Sequence, residues 1–257
     1  MDKALLSVEN LKKTFSRGKA EVNAVNGVSF SVAEGEIFGI VGQSGSGKST
    51  VLKLIANMEK CDSGKIIFDD EDIAHLPAKA QRRLYRSLQM VFQNPTASFN
   101  PRLTIRRSLY EPLRNYCRLR DSRSLDAGAR ELMEMVGLNA ALLDRYASEL
   151  SGGQCQRAAI ARAISVSPRL LLCDEITSAL DVSVQANIIS LLCNLSKRLN
   201  MSILFVSHDI ALVSNICRRS MVMHAGVIEE SGETGRLIRS PSSAYTKQLI
   251  DSARIEI

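Results

Sequence analysis

Gly42-Gln43-Ser44-Gly45-Ser46-Gly47-Lys48-Ser49 decides how the rest of this 257-residue chain is read. It follows EGEIFGIV (34–41), an apolar run of the kind a buried strand makes. It precedes KSTVLKLIAN (48–57), which reads as a helix. The spacing matches GxxxxGK[ST] in full, in the strand–loop–helix context that the pattern needs. Glycines let backbone N–H groups curl around phosphate oxygens without Cβ clashes, and the opening helix points its positive end at the same anion. Gly42, Gln43, Ser44, Gly45, Ser46, Gly47, Lys48, Ser49 and Thr50 are therefore the expected phosphate cradle. Lys48 is expected to reach the β- and γ-phosphates, and the Ser49 hydroxyl to ligate Mg²⁺.

A second element must hold the metal. Leu170-Leu171-Leu172-Cys173-Asp174-Glu175 is an apolar strand that ends in two carboxylates. Asp174 suits Mg²⁺ through its water shell. Glu175, alternating to the other side of the strand end, could polarise an attacking water. Capping of the next helix is the other use for such a pair, and the phosphate loop upstream favours catalysis. The two motifs together point to nucleotide hydrolysis without giving its purpose.

Working outward, LLSVENL, AVNGVSFSV, SGKIIFDD and SLQMVF (87–92) read as strands. From about 94 to 150 the character changes: after the irregular NPTASFNP (94–101), helical patterns dominate, in TIRRSLYEPLRNYCRL, LDAGARELMEMVGL and NAALLDRYASEL (139–150). Then β/α alternation resumes: strand RLLLCDE, helix VSVQANIISLLCNLSKRL, strand SILFVS, helix DIALVSNICRR and strand SMVMHAG. This order fits a parallel α/β core with an inserted helical segment. With 45% hydrophobic residues the chain can bury a sizeable core, and no apolar run approaches the ~20 residues that cross a bilayer. The six cysteines are scattered without a CxxC pair, which reads as reduced thiols. The net charge of +6 reads as solvated helix faces, and no aromatic-plus-basic motif points to nucleic acid.

Leu150-Ser151-Gly152-Gly153-Gln154-Cys155-Gln156-Arg157 carries no acid, base or nucleophile of its own, yet sets two glycines directly before a helix-like run. The set GQSGSGKST, LSGGQCQR, LLLCDE, SALD and VSHD, in this order, resembles the ATP-binding subunit of an ABC transporter over essentially the whole chain. The resemblance implies a P-loop NTPase core (RecA-like, with a mostly parallel sheet), an N-terminal antiparallel β subdomain and an inserted α-helical subdomain. The corresponding bounds are 1–93 with 158–257 for the catalytic core and β subdomain, and 94–157 for the helical subdomain carrying the signature. It also implies that two such domains pair head to tail, with each ATP held between one phosphate loop and the other's LSGGQ. Ser151, Gly152, Gly153 and Gln154 would then contact a γ-phosphate bound to the partner; Ser151 is also a natural cap for the helix that follows. Further positions carry over singly. Gln93 matches the glutamine that senses Mg²⁺ and the attacking water, and His208 the histidine at the γ-phosphate. Asp181 matches the aspartate at the dimer interface. Phe15 falls where the family stacks an aromatic on adenine, with a place in the core as its alternative. His75 and His224 match no family site.

VFQNPTASFNPRLTI, EPLRNY, DVSVQANII and PSSAYTKQL look like the importer branch for oligopeptides, dipeptides, nickel and metal chelates; the length resembles its shorter, nickel-type members. That branch implies a second ATP-binding subunit, a paralogue or an identical copy. It also implies two transmembrane permease subunits, an extracytoplasmic solute-binding protein, and a peripheral place on the cytoplasmic face of the membrane. A soluble, non-transport ATPase and an ATP-holding module without hydrolysis are the alternatives. The latter predicts a degenerate Glu175 or His208, and both are present. Two departures from the family stand out. Ile176 replaces a common proline, and Cys155 replaces a polar residue, where it would make the protein sensitive to thiol reagents.

Overall fold

The computed structural model describes residues 3–17 and 20–253. The outermost positions of the expected domain bounds, 1–2 and 254–257, lie outside them. Two sheets form the frame. In the first, β1 (Ala4–Arg17), β2 (Ala20–Ala33), β4 (Ser63–Phe68) and β5 (Glu71–Asp72) pair antiparallel in the order β2-β1-β4-β5. At 14 residues each, β1 is twice as long as the run that announced it, and β2 also extends beyond its own. Bulges in their register let them twist while the polar ends stay paired.

The second sheet contains β3 (Ile37–Val41), β6 (Leu88–Val91), β7 (Leu170–Asp174), β8 (Ser202–Ser207), β9 (Arg219–His224) and β10 (Val227–Glu233). Its order is β10-β9-β3-β8-β7-β6, parallel except for the β9–β10 hairpin at one edge. Its central strands β3, β7 and β8 are apolar nearly throughout because both faces are covered, whereas the edge strand β10 is largely polar. Leu170, Leu172, Leu204 and Val206 enter the core shared with the first sheet, where Leu6, Val28 and Ile40 also pack. Leu171, Cys173, Ile203 and Phe205 enter the core on the opposite face. The alternation is the two-residue period of a strand.

The helices are α1 (Lys48–Ile55), α2 (Ala78–Ser87), α3 (Ile105–Asn115), α4 (Ser122–Met135), α5 (Gly152–Ile164), α6 (Val182–Leu199), α7 (Ile210–Ile216), α8 (Thr234–Arg239) and α9 (Ala244–Ser252). α3, α4 and the N-terminal part of α5 form the helical insert, joined through Ile105, Leu109, Leu125, Met133 and Ile160 to the second core. α5 runs across residue 157 without a break.

Three expectations need correction. Residues 139–150 form no α-helix; they make two short 3-10 turns, Ala140–Asp144 and Ala147–Glu149. Between them, Tyr146 bridges to Thr104, and the Arg145 carbonyl accepts the N–H of Ile105, so tertiary pairing takes the backbone groups a helix would use. The signature glycines do not precede a helix but are the first two residues of α5. Finally, β5, α2, β10, α8 and α9 are additional to the elements expected from the sequence.

The topology explains how distant motifs meet. Gln93, the phosphate loop, Glu175 and His208 all follow the carboxyl ends of parallel strands: β6, β3, β7 and β8. Such ends are where open α/β sheets place their sites.

Candidate functional site

The phosphate loop is squeezed between β2 and β9. Gly47 precedes α1 with φ +101°, a left-handed conformation, and a Cβ there would lie 2.2 Å from the Ala24 carbonyl oxygen. A Cβ on Gly42 would lie 2.2 Å from the Met223 carbonyl oxygen. Neither position tolerates a side chain. The Lys48 ammonium is buried; it donates to the Gly42 and Gln43 carbonyls at 2.7 and 2.8 Å and lies 3.4 Å from Glu175 Oε1. Burial pulls its pKa below the usual lysine value, against the pull of Glu175. The loop borders a cavity of ≈390 Å³ lined by Val22, Ala24, Ser44, Gly45, Gly47, Lys48, Ser49, Thr50, Gln93 and Glu175, among others.

Ser49 Oγ donates to Asp174 Oδ1 at 2.7 Å. Burial raises the Asp174 pKa, with the Ser49 hydrogen bond opposing it, so the carboxylate sits where a cation would relieve it. A hydroxyl and one carboxylate are the oxygen donors that Mg²⁺ takes when substrate phosphates and water complete its shell, so this pair fits the metal. Glu175 is turned toward the cavity by a left-handed residue (φ +47°) at the strand end, rather than by strand alternation. Its backbone N–H donates to the Val206 carbonyl at 3.1 Å. Its Oε2 accepts from Gln93 Nε2 at 3.2 Å and lies 3.8 Å from His208 Nδ1. The structure thus gathers Glu175, Gln93, His208, Lys48, Ser49 and Asp174. It adds Ser178, whose hydroxyl donates to the Glu175 carbonyl at 2.9 Å and lies 3.3 Å from Gln93 Nε2. Ser178 sits three residues after Glu175, a turn spacing that the sequence could have offered. Val22, Ala24 and Ala225 reach the cavity by tertiary packing alone and carry no sequence signal.

The LSGGQ stretch lies elsewhere. Ser151 Oγ accepts the Gln154 N–H at 3.3 Å, and Gln154 Oε1 accepts the Ser151 N–H at 3.1 Å, a reciprocal box opening α5. Gly153 is set by packing: a Cβ would lie 2.7 Å from Val184 Cγ1 on α6. The nearest atom to a Cβ on Gly152 is Leu180 Cδ2 at 3.4 Å, an ordinary contact. Ser151, Gly153 and Gln154 line a second cavity of ≈510 Å³, which shares no lining residue with the phosphate cavity. Asp181 is exposed and caps α6, accepting from Ser183 Oγ at 2.7 Å and the Val184 N–H at 2.9 Å. Those bonds, Ser183's first, hold its pKa below the ordinary value.

Phe15 is 38% exposed on β1, which excludes the core alternative. It stands opposite Val22, a wall of the phosphate cavity, with the Lys13 ammonium 5.3 Å from its ring centre. Cys155 is buried with its sulfur 3.6 Å from Thr96 Oγ1, and burial raises its pKa. The expected thiol sensitivity at Cys155 is therefore corrected: a buried, protonated thiol is inert. Ile176 is buried in the second core.

A family model described as "ABC transporter" matches residues 25–178. The oligopeptide transport ATP-binding protein OppF of Streptococcus mutans is 40% identical over 251 residues, 97% of this chain and 82% of that protein. YkfD of Bacillus subtilis, a putative oligopeptide transport ATP-binding protein, is 42% identical over 252 residues, 98% of this chain and 77% of its own. OppF of Salmonella typhimurium is 39% identical over 262 residues, covering 98% and 78%. A dimeric ATP-binding cassette solved in a post-hydrolysis state with ADP and Pi superposes with TM-score 0.82 at 29% identity, covering 89% of this chain and 98% of that one. The cbiO1 protein of Clostridium perfringens, part of the ABC transporter complex cbiONQ, gives TM-score 0.82 at 27% identity over 93% and 92%. The names of these oligopeptide relatives mention no nickel.

Proposed function

The chain belongs to the ABC transporter ATP-binding family, and from that premise we propose that it energises uptake of oligopeptides or related peptides through cycles of ATP binding and hydrolysis. One observation carries the chemistry: Lys48, Gln93 and Glu175 line one cavity, His208 stands 3.8 Å from Glu175, and Ser49 and Asp174 are joined beside it. Lys48 and the loop amides bind the phosphates of ATP. Ser49 and Asp174 would hold Mg²⁺, with Gln93 as a further ligand, and the metal would supply charge to offset that of the phosphates. Gln93 and Glu175 orient a water, and Glu175 takes its proton as the water oxygen attacks the γ-phosphorus. The bond from γ-phosphorus to the bridging β-oxygen breaks, giving ADP and inorganic phosphate. His208, beside Glu175, contacts the γ-phosphate, and Phe15 stacks on adenine.

The signature needs a second chain. Ser151, Gly152, Gly153 and Gln154 present a helix N-terminus to an ATP seated on a partner's phosphate loop, and Asp181 lies at that interface. The dimeric state of the ATP-binding cassette that this chain resembles supports this pairing. The division into 1–93 with 158–257 and an insert at 94–157 assigns the insert to the transporter contact. A groove of ≈460 Å³ between core and insert, lined by Met58, Tyr85, Met90, Phe92 and Tyr116 together with Gln89, Glu111, Asn115 and Arg162, suits an amphipathic helix from a permease. No helix among the described residues is long and apolar enough to cross a membrane. Its likeness to oligopeptide transport ATP-binding proteins supports attachment to the cytoplasmic face through two permease subunits, with a solute-binding protein on the far side.

The test is uptake of a labelled oligopeptide into proteoliposomes holding the assembled transporter. Lys48→Ala in this subunit is expected to weaken ATP binding and to cut ATP-driven uptake at least about tenfold. Full uptake with Lys48→Ala would remove the phosphate loop from the transport cycle.

A further inference from the structure

Tyr245, on α9, stands 202 residues from Gln43 in sequence, yet its hydroxyl accepts the Gln43 backbone N–H at 3.2 Å. The same peptide group carries the Gly42 carbonyl, which accepts from the Lys48 ammonium at 2.7 Å. One peptide plane is thus held from both sides, by the loop's lysine and by a tyrosine from a remote helix. The next plane is tied as well: the Gln43 carbonyl accepts from Lys48 Nζ at 2.8 Å and from the Ser46 N–H at 3.2 Å.

The tyrosine is itself braced. Its ring packs on His224 at the end of β9, with centroids 4.1 Å apart and planes tilted by 34°. Two residues on, the Gly226 N–H donates to the Ser46 carbonyl at 3.1 Å, so the β9–β10 tip touches the loop too. Glu230 on β10 accepts from the Ser242 N–H and hydroxyl and from the Ser243 N–H at 2.7–3.1 Å, and Ser243 Oγ donates to Glu229 at 3.1 Å. The start of α9 is therefore clamped to the same hairpin that supports the loop. Gln43 itself is exposed, so without the hydroxyl its N–H meets water. Losing the bond loosens the loop without leaving a buried donor unsatisfied.

We propose that Tyr245 is a positioning residue for the phosphate loop: by fixing the Gly42–Gln43 peptide it presets the Lys48 ammonium for a nucleoside triphosphate. The inference rests on the reading of Gly42–Thr50 as the ATP loop. The experiment compares full-length wild type and Tyr245→Phe by Mg-ATP titration, hydrogen exchange at the Gln43 amide and thermal melting. Tyr245→Phe keeps the ring on His224, so the melting temperature should stay within about 2 °C of wild type. ATP affinity should fall about three- to tenfold, with faster exchange at Gln43, as expected for one hydrogen bond. In the assembled transporter, KM for ATP should rise while kcat stays within about twofold. Equal ATP affinity in wild type and a folded Tyr245→Phe overturns the inference alone. A wild type that binds no ATP overturns the nucleotide reading and the inference with it.

Discussion

Asp174 and Glu175 are neighbours with separate surroundings, and the backbone separates them. Asp174 ends β7, buried against the Ser49 hydroxyl, while Glu175 leaves the strand in a left-handed turn and faces Lys48, Gln93 and His208. The burial of Asp174 has a thermodynamic sign. Its folded pKa is raised, so its ionised form disfavours the native state, and stability is lost as pH rises through that pKa. Asp174→Asn is therefore expected to melt higher than wild type at neutral pH without nucleotide or Mg²⁺. Each kcal/mol relieved would appear as about 2–4 °C, and the gain should vanish once pH falls below the ordinary carboxylate range. A lower neutral melting temperature for Asp174→Asn would contradict the burial argument. The same change should abolish Mg-dependent hydrolysis, placing stability and function in opposition at one side chain.

Among the elements, α5 and α6 meet where Gly153 faces Val184, and this contact sets how closely the signature helix approaches its neighbour. Gly153→Ala forces a methyl group toward Val184 Cγ1 and is expected to cost about 1–3 kcal/mol by overpacking. Val184→Ala in the same chain should recover most of that loss, a coupling readable in a double-mutant cycle of melting temperatures. Additive losses would mean that the contact does not govern the fit. The paired glycines were legible in the sequence as a signature, but the packing demand on the second was not, because Val184 lies 31 residues downstream. The strand ends were legible for a simpler reason: β3, β7 and β8 are buried on both faces and read as apolar runs that stop at polar motifs. By contrast α2, AKAQRRLYRS, has Leu84 as its buried hydrophobic and no apolar stripe to read. Residues 139–150 look helical because Leu142, Leu143 and Leu150 recur, yet the bridge from Tyr146 to Thr104 claims the backbone between the two turns. Tyr245 was legible only as part of PSSAYTKQL, a branch resemblance; its bond to the loop was not, since a hydroxyl meeting an amide from another element leaves no periodicity.

At the scale of the whole molecule, the phosphate cavity and the signature cavity share no residue, and on the proposed head-to-tail pairing one chain carries two half-sites rather than one complete site. ATP bound to the phosphate loop then becomes the contact that draws in a partner's signature helix, and closure is favoured by the ligand's preference for the closed state. Hydrolysis ends that preference. A glutamine at position 175 keeps the size and hydrogen bonding of the side chain but cannot take the proton, so hydrolysis should fall by about 10²-fold or more while ATP still binds. The most direct measurement is sedimentation of the Glu175→Gln chain, alone and mixed with the second ATP-binding subunit co-purified from its transporter, in Mg-ATP and in Mg-ADP. The composite site predicts association in ATP that reverses in ADP and disappears when Ser151→Arg blocks the signature. Stoichiometric ATP binding by chains that stay monomeric in both mixtures would contradict it.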